Sequence, residues 1–158
     1  MSFYTLIKLL GAWILFIFFN TGNPNFKIIT VNLIMPFCKC EYSGPALNDD
    51  ARLQLLKAMS STTAGSFGKS ENVMFVQLEH TPNLMFGGSS DPCAFIHIEG
   101  IGGNFSDVCG PVADVVAQHT GIPGMRIFMN FRCVEAENWG LSGVTIAQRR
   151  AAAAAQLN

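Results

Sequence analysis

The feature that most constrains the fold is an order of elements that occurs twice: a strand, a helix ended by glycine, and a second strand. In the first copy, residues 37–42 (FCKCEY) alternate in polarity, as a half-buried strand does. A helix follows, in which apolar residues recur at every fourth position: Leu47, Ala51, Leu55 and Met59. The β-branched and aromatic segment 72–79 (NVMFVQLE) then predicts the second strand. The sequence therefore predicts a complete βαβ unit here.

The second copy begins at residue 93. Residues 93–99 (CAFIHIE) and 126–133 (RIFMNFRC) predict two strands, and Gly121 ends the helix between them. One face of this helix carries four valines: Val108, Val112, Val115 and Val116. Proline in a helix interior removes a backbone hydrogen bond, so we expect Pro111 to lie in the first turn.

Two βαβ units of similar length predict an α+β domain, with one four-stranded sheet and both helices on one face. The chain has 158 residues, of which 49% are hydrophobic, and this is enough to bury such a core. A single layer of helices leaves the opposite face of the sheet bare. We expect that face to drive self-association with closed cyclic symmetry.

Charge and residue spacing exclude two classes of function. Residues 36–158 contain eight Lys and Arg against eleven Asp and Glu, a net charge of −3, so no nucleic-acid partner is expected. The five cysteines form no C-x-x-C pair and no zinc-binding spacing, and the three histidines are far apart. We therefore expect reduced thiols, no metal and no cofactor.

The first 34 residues differ from the rest of the chain. They contain the apolar run LLGAWILFIFF at 9–19, which is short for a membrane span but typical of the core of a signal peptide. Three interpretations remain open: a secretory signal or anchor, an apolar extension, or sequence upstream of the true start. The protein is secreted under the first and cytoplasmic under the third, and a membrane contact requires that this segment be retained.

Four stretches of the chain resemble one known family. They are NLMFGGSSDPCAF (83–95), IEGIGG (98–103), GIPGMRIFMNF (121–131) and NWGLSGVTIA (138–147). These stretches are similar to the macrophage migration inhibitory factor family of the tautomerase superfamily. The resemblance divides the chain into an N-terminal extension (1–34), a tautomerase-like domain (35–147) and an Ala-rich tail (148–158).

The resemblance implies a homotrimer whose sheets surround a central channel. It also implies a keto–enol tautomerase that acts on a small aromatic keto acid such as phenylpyruvate, or on dopachrome. Family members begin Met-Pro, lose the Met, and use the proline nitrogen as the catalytic base, a role that falls to Pro36 here. A terminal proline is an amine whose pKa falls in an apolar pocket, whereas a proline within a chain is an amide without useful basicity.

Other site positions follow from the same resemblance. Lys69 matches the lysine that binds the substrate carboxylate, although an ordinary loop lysine would look the same. Ile101 matches the residue whose backbone N–H also holds that carboxylate. Asn130 matches an asparagine that a neighbouring subunit contributes, and it shares a strand face with Phe128.

Four residues depart from the family pattern or alter it: Phe128, Trp139, Leu141 and Cys93. Phe128 replaces a tyrosine, so a hydrogen bond to the substrate oxygen is missing and activity is expected to be lower or shifted. Leu141 replaces a common tryptophan, while Trp139 stands two residues earlier, and both are expected to close the pocket. Of the family's redox C-x-x-C motif, this chain keeps a single cysteine, Cys93.

The alternative function is a non-catalytic, cytokine-like or receptor-binding trimer of the same fold, or a trimer tethered to a membrane by residues 9–19.

Overall fold

A computed structural model of the protein describes residues 36–102 and 104–156. The strands are β1 (Phe37–Tyr42), β2 (Phe75–His80), β3 (Ala94–Gly100), β4 (Ile127–Cys133), β5 (Gly140–Leu141) and β6 (Val144–Thr145). The α-helices are α1 (Asp49–Ser66), α2 (Ser106–Thr120) and α3 (Ile146–Ala155). Three short 3₁₀ helices cover Glu71–Val73, Gly124–Arg126 and Ala136–Asn138. The hypotheses about residues 1–34 concern sequence outside the described residues.

The four long strands form one sheet in the order β2-β1-β3-β4. Strands β1 and β2 are parallel, as are β3 and β4, while β1 and β3 meet antiparallel at the centre. Each parallel pair is connected through one helix, which is the geometry of a βαβ unit. The predicted α+β fold with two such units is confirmed.

The core lies between the sheet and helices α1 and α2. From the sheet it receives alternate residues of β1 and β3: Cys38, Cys40, Tyr42, Ala94, Ile96 and Ile98. The helices supply Leu55, Met59, Val108, Val112 and Val116, all of which the apolar spacing had placed on the inner faces. Full burial of one such aliphatic side chain contributes roughly 1.5–3 kcal/mol. Burial also raises the pKa of Cys38 and of Cys40 to about 12.

The prediction for Pro111 is wrong. Helix α2 begins at Ser106, so Pro111 is its sixth residue and lies beyond the first turn. The earlier start is stabilised by Asn104, whose side-chain oxygen accepts a hydrogen bond from the backbone N–H of Ser106 (3.2 Å). The helix therefore lacks the backbone hydrogen bond that residue 111 would donate to the carbonyl of Asp107.

The opposite face of the sheet is arranged in three rows that cross all four strands. At one end lies the row Phe75, Phe37, Glu99 and Arg132; the middle row is Gln77, Lys39, His97 and Asn130; the last row is Glu79, Glu41, Phe95 and Phe128. Lys39 Nζ contacts Glu41 (2.8 Å) and Glu79 (3.0 Å), and these carboxylates raise the pKa of Lys39. Each end row thus combines two aromatic rings with two charged side chains, and the middle row is polar.

A second, smaller core follows β4. Ile101, Ala136 and Ile146 are buried there, and Trp139, Leu141 and Ala147 pack against them. Strands β5 and β6 form a hairpin with a two-residue loop. Its residues Ser142 (φ 52°) and Gly143 (φ 80°) both have positive φ, as a type I′ turn requires.

Within residues 36–102 and 104–156, no helix combines the length and the apolar character needed to cross a bilayer.

Candidate active site

A cavity of about 700 Å³ opens where β1 begins. It is lined by Pro36, Phe37, Val73, Phe75, Glu99, Arg132, Cys133, Val134, Glu135, Asn138, Trp139, Gly140 and Leu141. Its floor is the end row of the sheet, from Phe75 through Phe37 and Glu99 to Arg132. One wall is the segment between β4 and β5. The cavity therefore joins residues from both βαβ units.

Pro36 lines this cavity and is buried. Its carbonyl oxygen accepts a hydrogen bond from the backbone N–H of Phe75 (3.1 Å), which fixes the start of β2 beside the start of β1. Because the Pro36 nitrogen is an amide whenever Met35 precedes it, the same position offers a base only in a chain that begins at Pro36.

One half of the cavity is apolar. The rings of Phe37 and Phe75 lie 5.7 Å apart at 46°, and Phe75 is 67% exposed, so its ring is available to a ligand. Trp139 and Leu141 line the wall. Aromatic and aliphatic surfaces of this kind suit a planar ring.

The other half carries charge. Arg132 Nη1 lies 3.8 Å from Glu99 Oε1, and the Arg132 side chain is 70% exposed. Glu135 and the exposed thiol of Cys133 line the same end. The sequence did not predict three residues of this cavity, Phe75, Glu99 and Arg132, because only the register of the strands places them in one row. In β4 every second side chain points away from the core, and this alternation was the one sequence pattern that placed Arg132 on the outer face of the sheet.

Two of the predicted site residues are not among the described residues that line the cavity. Ile101 is buried and packs in the small core together with Trp139 and Leu141. Lys69 follows α1, and its backbone N–H donates to the carbonyl of Ala64 (2.8 Å). Lys69 is not among the described residues that line the cavity.

Phe128 and Asn130 lie elsewhere on the outward face of β4. Phe128 lines a second cavity of about 260 Å³ and stacks on Phe86, with ring centroids 4.3 Å apart. Asn130 is exposed in the middle row of the sheet. A single subunit thus brings Pro36 together with the two wall residues that follow β4, and holds Phe128 and Asn130 apart from them. Their roles, like that of Lys69, stay predictions.

Arg126 is a further residue that the sequence did not identify. It contacts the segment that lines the second cavity. Its guanidinium donates to the backbone oxygens of Pro92 (2.9 Å) and Asp91 (2.8 Å) and lies over the ring of Phe86, 5.4 Å from the centroid. It therefore fixes the loop before β3 against β4. The described residues contain no group of three or more His, Cys, Asp or Glu side chains arranged to hold a metal ion.

Two parallel βαβ units joined antiparallel, with a cavity at the first residue of β1, define a domain of the tautomerase fold. The chain belongs to the macrophage migration inhibitory factor (MIF) family, whose model matches residues 35–147. It is 26% identical over 108 residues to a macrophage migration inhibitory factor homolog of Trichuris trichiura, covering 66% of this chain and 95% of that protein.

Solved structures agree. Macrophage migration inhibitory factor of Toxoplasma gondii superposes with a TM-score of 0.65 at 29% identity, covering 69% of this chain and 98% of the other. A homologue from Prochlorococcus marinus gives 0.64 at 30% identity, covering 70% and 98%. The predicted family is therefore confirmed.

Proposed function

We propose that the chain, when Pro36 is its free N-terminus, is a keto–enol tautomerase of small aromatic keto acids such as phenylpyruvate, and of dopachrome-like compounds. The observation that carries this proposal is the position of Pro36 in a cavity whose floor and wall supply Phe37, Phe75 and Trp139. A substrate ring would lie against these side chains. No cofactor is required, since tautomerisation only moves a proton.

The chemistry follows from the amine. The neutral Pro36 nitrogen removes a proton from the carbon between the ring and the carbonyl group and becomes positively charged. The carbonyl oxygen takes a proton from solvent water to complete the enol, and Pro36 returns its proton to the solvent, which restores the base. We assign the substrate carboxylate to Lys69 and to the backbone N–H of Ile101. Because Phe128 offers no hydroxyl, Asn130 is the side chain proposed to contact the substrate from a neighbouring subunit.

We further propose a homotrimer. The support is the outward face of the sheet, which no helix among the described residues covers, and on which Phe75 and Phe128 stay exposed. The trimer that the family resemblance implies agrees with this feature. In a trimer the outer face of β4 can supply Asn130 to the cavity of the next subunit.

A chain that begins at Pro36 is expected to have three times the subunit mass in solution, because the exposed aromatic residues of the sheet would be buried between subunits. Light scattering coupled to size exclusion, at micromolar protein concentration, measures this directly. A monodisperse monomer would contradict the trimer and, with it, the shared site.

Changing Lys69→Ala should lower kcat/KM for phenylpyruvate about tenfold or more, since a charge-assisted contact contributes roughly 1.5–3 kcal/mol. The matched control is Lys57→Ala, which removes an exposed lysine of α1. Steady-state kinetics of the chain begun at Pro36 gives both values. If the two variants behave alike, Lys69 is an ordinary loop lysine.

The second candidate function is a non-catalytic binding trimer of the same fold. It is favoured by Phe128, which lacks the phenolic hydroxyl, and by the amide at Pro36 in any chain that retains Met35. N-terminal sequencing of the protein from its native source distinguishes the candidates. A mature chain that begins at Pro36 permits catalysis and excludes a tether formed by residues 9–19.

A further inference from the structure

We propose that Arg149 is a positioning residue that holds the wall of the Pro36 cavity in place. Its Nη2 donates a hydrogen bond to the backbone carbonyl of Leu141 (2.9 Å), and Leu141 lines the cavity. The inference about the wall rests on the geometry alone. Its kinetic consequence rests also on the proposed tautomerase function.

Residues of helix α3 form hydrogen bonds at both ends of β5. The backbone N–H of Ile146 donates to the carbonyl of Trp139 (2.9 Å), just before β5, and Arg149 reaches the carbonyl of Leu141, at its end. Ile146 is fully buried in the small core beneath Trp139. The helix therefore fixes the two backbone positions that carry the apolar wall.

The start of α3 is itself well determined. The Thr145 hydroxyl accepts from the backbone N–H of Gln148 (3.1 Å), and the Gln148 side chain accepts from the backbone N–H of Thr145 (2.8 Å). This reciprocal capping fixes the first turn of the helix. Arg149 is the next residue after Gln148, so its side chain extends from a helical turn that these two hydrogen bonds hold in place.

The hairpin needs such support. Each of its strands has two residues, and an isolated two-stranded hairpin is marginally stable in water. The family match ends at residue 147, so Arg149 lies beyond it.

Trp139 offers a direct measurement of the wall. The two tryptophans of the sequence are Trp13 and Trp139, so a chain that begins at Pro36 contains Trp139 alone. Removing the Arg149 hydrogen bond should raise the acrylamide quenching constant of Trp139 fluorescence roughly twofold, because local opening exposes the ring to the quencher. With phenylpyruvate as substrate, KM should rise severalfold while kcat changes less than about twofold, since uniform binding is lost and Pro36 stays in place.

The test compares four variants of the chain begun at Pro36. Arg149→Ala removes the whole side chain, Arg149→Met keeps its apolar stem without a donor, and Arg149→Lys keeps the charge and a donor. Arg150→Ala is the control, because it removes the same side chain from the next position, and among the described residues the hydrogen bond to the carbonyl of Leu141 comes from Arg149.

Increased quenching in Arg149→Ala and Arg149→Met, with Arg149→Lys and Arg150→Ala near the parent chain, supports the proposal. Unchanged quenching in Arg149→Met overturns it, as does an equal increase in Arg150→Ala. If Arg149→Ala fails to fold, the Met and Lys variants decide. An inactive parent chain would refute the tautomerase function, while the quenching result would still test the wall.

Discussion

A chain that begins at Pro36 should tautomerise phenylpyruvate at least about a hundredfold faster than the chain that begins at Met1, because a positioned general base contributes about 10²–10⁴-fold. In the long chain the Pro36 nitrogen is an amide and cannot take a proton. In the short chain it is a secondary amine within a buried site. The value of kcat/KM should rise with pH as this amine loses its proton. The midpoint is expected below the ordinary α-amino pKa of about 7.7–8.0, since burial disfavours the charged form.

The sharpest control differs from the active chain by one residue. An alanine inserted between the initiating Met and Pro36 turns the proline nitrogen into an amide, without restoring residues 1–34. This chain should be as inactive as the full-length protein, and mass spectrometry must confirm each N-terminus. Equal activity of the inserted and uninserted chains would refute proline-based catalysis. Equal inactivity, with the oligomers intact, would favour the binding protein.

Replacing Leu55 with alanine should lower the free energy of unfolding by about 2–5 kcal/mol, the usual cost of a cavity in a packed core. Leu55 is 0% exposed and lies between α1 and the sheet. The neighbouring Leu53, on the same helix, is 48% exposed, so Leu53→Ala should change stability by only about 0.5 kcal/mol.

Urea unfolding of both variants measures the difference. All samples need the same protein concentration, since any association of subunits makes stability depend on it. Because the two substitutions remove the same atoms from one helix, their difference isolates burial from helix propensity. Similar losses for Leu53→Ala and Leu55→Ala would mean that α1 is not packed on the sheet as described.

The fold was predictable because its elements follow simple periods. Alternation in FCKCEY and the four-residue spacing of Leu55 and Met59 both mark a face that must be buried, and each spacing fixes one type of element. Element boundaries were less certain. The strand predicted at 72–79 begins at Phe75, because Glu71–Val73 form a 3₁₀ turn in which the Ser70 hydroxyl accepts from the N–H of Asn72 (3.3 Å).

The cavity was only partly predictable. Pro36, Trp139 and Leu141 were named from a family resemblance, which records positions along the chain. Glu99 and Arg132 were missed because they become neighbours only through the register of β3 against β4, and no local pattern encodes that register. The contact between Arg149 and Leu141 is similarly a product of tertiary structure.

The burial of the core thiols decides how the folded protein should respond to alkylating reagents. Such reagents attack the thiolate, and at pH 8 a thiol with a pKa of about 12 is ionised on the order of once in 10,000 molecules. Cys38 and Cys40 are therefore protected twice, by ionisation and by burial, and Cys93 is buried as well. Maleimide or iodoacetamide should reach Cys109 and Cys133, which are exposed. Cys133 lines the Pro36 cavity, so in a chain whose Cys109 is replaced by serine a label would be directed to this position and could report on ligand entry.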